Sequence, residues 1–583
     1  MFKSITSPSR TRQLSYIIII LMMVFVARLF YLQIIRHDHY VILADSEQVR
    51  QWKLPAVRGE IYAMNGDTPT KLVLNQTVYT VWVDPQEIKE PGEVIEVLNR
   101  IVGGNLRDDA RQLLEKKDTR YQVMARKVSY KQAQLIKKEK LYGIGFERGE
   151  QRVYPEGALA SQVLGFVDND GIGQYGIEAG LNDELTGTDG LIKTVADVRD
   201  VPLTIGKDNV NIPAQNGKNV VLSIDRGIQM KAEQALAAGM KRSGASRGSV
   251  LIMDPSNGQV FAMANLPTYD PAKLASVKDV ALLNNNTISD PYEPGSVIKA
   301  FTVSTGIDTG AITPKSTFNN TDQIQVDDRT IGNASTGHTG ERTMQYALDW
   351  SLNTGMVTIA KRLGGDEINR KSRDIIYDYF AKRFRLSVPT GIELANEMSG
   401  NIISPDQVQG NAVRYATMTF GQGMSSSMLQ VSTSFSAVIN GGLYNNPSVV
   451  AGEVDDRGVF QRSKGTNNPK RVISASTSDT VREMIRHAHH ATYRPYGERE
   501  GYYVGGKTGT TQTIDPKTGR YTNDETIATY LGFGGEVNKT PRYVIMVRVS
   551  GDDMVLGGGT DAKPIFNDIS NWLIDYLKLS PKG

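Results

Sequence analysis

Hydrophobic positions change their spacing at two points along this chain, which divides it into three stretches. Between Leu14 and Ile35 they are nearly continuous, with Ile17-Ile18-Ile19-Ile20-Leu21-Met22-Met23-Val24-Phe25-Val26 at the centre and Arg28 the only charge. At about 1.5 Å per helical residue, such a run crosses a hydrocarbon core of about 30 Å. It is too long and too apolar for a buried core helix, so a membrane-spanning helix is predicted over 14–35. From 36 to 217, β-like stretches such as Val78-Tyr79-Thr80-Val81-Trp82-Val83 mix with charged helical ones such as Leu113-Leu114-Glu115-Lys116-Lys117, which predicts an α+β domain. Its turn signals, Asn65-Gly66 and Asp170-Gly171-Ile172-Gly173, do not resemble a phosphate loop.

The second change follows the polar linker Gln215-Asn216-Gly217-Lys218. Val220-Val221-Leu222-Ser223-Ile224-Asp225 then reads as a strand, and Ile228, Ala232, Ala235 and Leu236 mark an amphipathic helix. Gly248 to Asp254 and Gln259 to Ala264 flank Pro255-Ser256-Asn257-Gly258, a predicted hairpin, and a last helix is predicted over Phe566 to Leu579. Residues 218–583 therefore read as a second, α/β domain. Lys3, Arg10 and Arg12 precede the apolar run with no acidic residue, so the tail 1–13 is expected to stay cytoplasmic and the bulk to be exported. No small-residue cleavage site follows the run, which favours an uncleaved anchor.

Composition sets limits. At 583 residues, 40% apolar and 22% charged, the chain can bury more than one core. The absence of cysteine (Cys 0) removes disulfides, thiolate catalysis and Cys-ligated zinc together, and suits an exported protein. A net charge of +3, with no basic stripe, gives no reason to invoke nucleic acid.

The candidate chemistry begins at Ser296-Val297-Ile298-Lys299, after the turn-like Glu293-Pro294-Gly295. Side chains at i and i+3 share a helix face, and a buried lysine beside another cation loses its proton easily enough to accept one from a serine. Ser-x-x-Lys alone occurs roughly once or twice by chance in a chain of this length. Two further motifs follow in order, Ser351-Leu352-Asn353 and Lys507-Thr508-Gly509-Thr510, the set found in serine β-lactamases and penicillin-binding proteins. Each has a decoy. Ser399-Gly400-Asn401 lies in a polar turn, whereas Ser351 sits between the apolar segments around Leu348 and Met356. Lys517-Thr518-Gly519 reads as a hairpin turn, whereas Lys507 to Gln512 reads as a strand with Ile527 to Phe533 as its partner.

Other chemistries find less support. A Ser-His-Asp triad drawn from His37, His39, His338, His487, His489 and His490 has little support. His487-Ala488-His489-His490, with Glu483 one turn before, lacks His-Glu-x-x-His spacing and reads as a surface helix face, so no metal is assigned. Glu393 is the acidic candidate for a β-lactamase water base, but it does not lie in a Glu-x-x-Leu-Asn pattern.

Taken together these motifs resemble the class B penicillin-binding proteins, the monofunctional peptidoglycan transpeptidases, over nearly the whole chain. Arg58-Gly59-Glu60-Ile61-Tyr62 with Asn65-Gly66 is similar to a family signature, with Ala63 and Met64 where it has Asp-Arg. Arg152-Val153-Tyr154-Pro155, Leu164-Gly165-Phe166-Val167 and Gly173-Gln174-Tyr175-Gly176-Ile177-Glu178 resemble its pedestal motifs. Phe420-Gly421-Gln422-Gly423 and Asn440-Gly441-Gly442 resemble segments near its active-site wall, and Thr511 stands where alanine is usual. The resemblance implies a membrane anchor, a dimerisation-like pedestal and a transpeptidase domain whose antiparallel sheet is flanked by helices.

It also implies roles. Ser296 attacks the penultimate D-alanine carbonyl of a stem peptide, Lys299 takes its proton and Ser351 relays it to the leaving nitrogen. Asn353 binds the substrate amide and holds Lys299; Lys507 keeps the cleft positive; Thr508 and Thr510, around Gly509, bind the terminal carboxylate. The backbone N–H groups of Ser296 and Thr510 form the oxyanion hole. No cofactor is implied. β-Lactams are implied inhibitors, and a separate membrane glycan polymerase and other division proteins are implied partners at a bacterial plasma membrane. The stretch Leu43-Ala44 to Arg58, with Gln48 and Leu54-Pro55-Ala56, is closer to septal than to elongation members. A β-lactamase, a D,D-carboxypeptidase and a mainly structural scaffold remain alternatives.

Overall fold

The computed structural model describes residues 10–40, 49–195, 210–463, 468–492, 497–514 and 518–582. Of the segments discussed above, Leu43, Ala44 and Gln48 of the septal-like stretch and Asp515, Pro516 and Lys517 of the second Lys-Thr-Gly copy lie outside the described residues. The chain forms two units, Met1–Val57 with Gly187–Gly217, and Arg58–Thr186 with Lys218–Gly583.

In the first unit, Arg10–Phe30 is an α-helix that widens into a π-turn over Tyr31–Ile35, and mean hydropathy along it reaches 2.5. The described part of this helix begins at Arg10, four residues before the apolar run. None of its residues is buried, as suits a helix whose solvent is lipid. A separate sheet pairs Val49–Leu54 with Gly190–Val195, and that strand with Val210–Ile212.

In the second unit, the long strand Thr68–Val83 pairs antiparallel with Ile61–Asn65, Gln122–Ser129 and Ile144–Val153. Alternate residues Val81 and Val83 pack with Leu98, Leu114 and Ile136 from helices over Pro91–Val102, Ala110–Glu115 and Tyr130–Lys138. Beside this sheet the fully buried carboxylate of Glu178 meets Arg58 at 2.7 Å and Arg152 at 2.8 Å. Asn219–Asp225, predicted as the first strand of the catalytic half, pairs parallel with Ile61–Asn65 on one side and antiparallel with Val450–Val454 on the other, so one sheet runs through both regions.

The catalytic half is built on helices α1 (Arg226–Ser243), α2 (Lys299–Asp308), α3 (Met344–Asp349), α4 (Asn353–Leu363), α5 (Met428–Ile439), α6 (Ala475–Thr492) and α7 (Lys563–Tyr576). Its strands are β1 (Arg247–Met253), β2 (Val260–Leu266), β3 (Tyr503–Ile514), β4 (Tyr521–Gly535) and β5 (Tyr543–Ser550), in the antiparallel order β2-β1-β5-β4-β3. Alternation decides which face each residue serves. Along β5, Val544 and Met546 point into the core with Phe301, Leu429 and Phe435, while Ile545 and Val547 meet Ile565 and Phe566 of α7. The predicted hairpin forms, with Gly248 opposite Leu266, and the predicted β3–β4 pair places Lys507 opposite Leu531. β3 is the edge strand, so one side of its backbone is open where the turn Gly295–Ile298 approaches.

Candidate active site

Ser296 opens this site from a 3-10 turn over Gly295–Ile298 that runs into α2, not from an α-helical turn. In a 3-10 helix residues i and i+3 eclipse, which aligns Ser296 and Lys299 more closely than α geometry does. Val297 and Ile298 are buried and Ser296 is half-buried. The turn is squeezed between two backbones. Gly295 has φ +63°, and a β-carbon there would lie 2.2 Å from Thr511 Oγ1. Its N–H donates to the carbonyl of Gly421 at 3.1 Å, and a β-carbon on Gly421 would lie 2.1 Å from Gly295 O. Both positions therefore require glycine.

Lys299 is fully buried, and its Nζ donates to the carbonyl oxygen of Ser351 at 2.5 Å and to the Ser351 hydroxyl at 3.0 Å. Burial first, and the neighbouring Lys507 second, hold this amine well below the usual lysine range. Ser351 reaches it from the end of α3. Its own N–H donates to Leu348 O at 3.2 Å and that of Leu352 to Ala347 O at 2.8 Å, a Schellman cap in which Ser351, at φ +56°, takes the left-handed place usually given to glycine. A non-glycine residue held there is strained backbone at a candidate site residue.

Lys507 is also buried, and burial alone brings its ammonium down to about 7. Its Nζ donates to the carbonyl and hydroxyl of Thr508 at 3.2 and 3.3 Å. Thr508 is half-buried and Thr510 exposed, so both hydroxyls can meet a ligand. Thr510 Oγ1 accepts the N–H of Gly558 at 3.1 Å, which fixes its rotamer and leaves its O–H to donate. Gly509 lies against the turn that carries Ser296, since a β-carbon there would stand 2.9 Å from Pro294 O.

Asn353 departs from the expectation that it holds Lys299. Its Nδ2 donates to Gly332 O at 2.9 Å, and among the described residues both Lys299 bonds end on Ser351. As the first residue of α4, Asn353 is turned toward the strand Arg329–Gly332. The decoy Asn401 bridges to Ser425 by backbone hydrogen bonds. Glu393 spends its oxygens on the Ser448 hydroxyl at 2.7 Å and Val449 N–H at 3.0 Å, so it has a structural occupation. The surface reading of the histidine cluster is corrected at one residue. His489 is buried, with Nε2 2.6 Å from Glu498 and Nδ1 bonded to Tyr530 OH, because that side of α6 packs on the sheet. His490 and Glu498 lie close enough for a shared cation, but Lys563 already brings its ammonium within 3.3 Å of Glu498. Sequence reading passed over Glu293 as a turn residue, although its carboxylate accepts the Gly423 N–H at 2.7 Å.

A buried lysine bonded to a motif serine, one 3-10 turn after a second serine and against an edge strand with Lys-Thr-Gly-Thr, defines a serine acyl-enzyme of the penicillin-binding fold. Residues 248–571 match the penicillin-binding protein transpeptidase domain and residues 53–222 the penicillin-binding protein dimerisation domain. The penicillin-binding protein PbpB of Mycobacterium tuberculosis is 30% identical over 98% of this chain and 86% of its own length. The peptidoglycan D,D-transpeptidase FtsI of Escherichia coli is 26% identical over 95% of this chain and 89% of its own. The crystal structure of penicillin-binding protein 3 from Mycobacterium tuberculosis complexed with aztreonam superposes with a TM-score of 0.66 at 26% identity, covering 91% of this chain and 98% of that one. The chain belongs to the class B penicillin-binding proteins.

Proposed function

We infer that this protein is a peptidoglycan D,D-transpeptidase that cross-links stem peptides through an acyl-enzyme on Ser296 and is acylated by β-lactams. The observation that carries the assignment of roles is the pair of bonds from Lys299 to Ser351. A neutral amine has two N–H donors and one lone pair, and Ser351 takes both donors. The lone pair is what remains to receive the Ser296 proton. Ser296 Oγ then bonds to the penultimate D-alanine carbonyl carbon. The C–N bond breaks, and the proton passes by Lys299 and Ser351 to the departing D-alanine nitrogen. An acceptor amine next attacks the ester, loses its proton to Lys299, and Ser296 recovers its hydroxyl.

Lys507, Thr508 and Thr510 bind the terminal carboxylate in this scheme, with Gly509 keeping the strand close to the turn. Asn353 leaves Gly332 to meet the substrate amide, and the N–H groups of Ser296 and Thr510 stabilise the oxyanion. Residues 36–217 form the pedestal and 218–583 the catalytic domain. Helix 14–35 anchors the protein with its N-terminus in the cytoplasm. A septal role, with a separate glycan polymerase and other division proteins as partners, is the reading that the stretch before Arg58 supports.

Labelled penicillin is expected to attach to the wild type and not to Ser296→Ala; equal labelling would refute the nucleophile. Defined stem peptides, offered with and without an acceptor amine, are expected to give cross-linked product by mass. Product from water alone would instead make the protein a carboxypeptidase. A fluorescent fusion is expected at midcell, and a lateral-wall pattern would reverse the septal role. Removing residues 1–36 is expected to lower recovery of the polymerase from membranes.

A further inference from the structure

We propose that Glu293 is a positioning residue that, through Tyr521, ties the β3–β4 hairpin to the turn carrying Ser296. The proposal rests on the reading of Ser296 as the nucleophile. Glu293 stands three positions before Ser296, separated from it by Pro294 and Gly295. Its Oε1 accepts the Gly423 N–H at 2.7 Å and the Tyr521 hydroxyl at 3.1 Å, and its Oε2 accepts the same hydroxyl at 2.9 Å. Hydrogen bonds to a carboxylate are the stronger kind.

Three walls meet on this one carboxylate. Gly423 belongs to the segment whose Gly421 carbonyl accepts the Gly295 N–H at 3.1 Å, and Arg414 Nη1 braces Gly423 O from outside at 2.7 Å. Tyr521 opens β4 opposite Ile514, the last residue of β3, the strand that carries Lys507 to Thr510. The carboxylate therefore links the end of β3, the Gly421 segment and the nucleophile turn. The width of the gap between Ser296 and β3, where a substrate carbonyl must sit, is held at the level of Glu293.

Two details favour positioning over packing. Tyr521 is 42% exposed, so its bond to Glu293 adds little to the core. Pro294 has a fixed φ, so a shift of Glu293 passes to Gly295 and Ser296 with little slack. Burial raises the Glu293 carboxyl above the usual glutamate range, and the bonds from Gly423 and Tyr521 offset part of that rise.

The test is saturation kinetics of acylation by labelled penicillin on the purified full chain, with thermal melting alongside. Glu293→Ala is expected to slow the acylation step about tenfold, as small displacements of reacting atoms do. The concentration for half-saturation should stay within about twofold of wild type. Glu293→Gln, whose amide can still accept from Gly423 and pair with a tyrosine hydroxyl, should recover most of the rate. Tyr521→Phe removes only an exposed hydroxyl and should slow acylation about threefold, the size of one modest hydrogen bond. The double variant Glu293→Ala with Tyr521→Phe should be no slower than Glu293→Ala, because both break one link. Wild-type acylation in Tyr521→Phe, or losses that multiply in the double variant, would overturn the proposal. If Glu293→Ala does not fold, Tyr521→Phe and Glu293→Gln still decide it. A wild type that takes no label would count against the nucleophile; a labelled wild type with unaffected variants counts against Glu293 alone.

Discussion

Lys299 and Ser351 are joined twice, by hydrogen bonds from one buried Nζ to the backbone carbonyl and to the side-chain hydroxyl of the same serine. The lysine of the first motif is thus fixed by the second, and the strained turn at Ser351 has a purpose. A conventional cap with glycine would offer the carbonyl but not the hydroxyl.

Replacing Ser351 separates strain from chemistry. Ser351→Gly relieves the left-handed backbone, whereas Ser351→Ala keeps it and loses the same hydroxyl. The glycine variant is expected to be more stable than the alanine variant by about 1 kcal/mol. Both should lose acylation by about a hundredfold or more. Thermal unfolding and penicillin labelling of the two proteins check this, and equal stability would remove strain from the account.

The two lowered lysines make both rate and stability depend on pH. Acylation is expected to rise as Lys299 loses its proton and to fall above about 7, where Lys507 loses the charge that attracts a carboxylate. For stability, Lys507 titrates near 7 in the folded chain against an ordinary 10.5. Between those values the unfolded chain holds the extra proton, so stability rises with pH across that window. Lys507→Met is expected to flatten the rise and to abolish the falling limb of the rate profile. Denaturant unfolding and acylation rates measured across the window provide the check.

Gly295→Ala is expected to disable the nucleophile turn. The added carbon meets both Thr511 Oγ1 and an unfavourable φ of +63°. Thr511→Ala in the same chain should recover part of the lost acylation by removing the clash, and none of the backbone strain. A Gly295→Ala protein that labels at the wild-type rate would contradict the tight approach.

Glu178 carries the charge balance of the pedestal. Its carboxylate is fully buried against Arg58 and Arg152, which are themselves largely covered. Glu178→Gln leaves two guanidinium groups without their counter-charge and is expected to cost about 3–5 kcal/mol. Chemical denaturation measures it, and a loss under about 1 kcal/mol would mean that water compensates the arginines.

Much of this arrangement was legible along the chain because it depends on local periodicity. The β3–β4 pairing follows from two apolar strands around turn residues, and it placed Lys507 on β3 opposite Leu531. The apolar residues around Ser351 indicated a helix junction. What stayed hidden has long-range or conformational causes. Ser351 is not glycine, so its positive φ leaves no mark in the sequence. Asn353 satisfies its amide on Gly332, a partner 21 positions away that no spacing reveals. His489 shares a helical segment with the exposed His490, and only the packing of α6 on the sheet buries it.

The sequence by itself determined the apolar N-terminal helix, the ordered motifs, the candidacy of Ser296 and the strands that surround it, because each rests on side-chain type and near-neighbour spacing. The tertiary structure alone decided that the Lys299 amine spends its donors on Ser351, that Lys507 is desolvated, and that Glu293 meets Tyr521 across 228 positions of chain. Those outcomes depend on which backbones approach one another and how much water they exclude, and desolvation and hydrogen bonding belong to the folded chain.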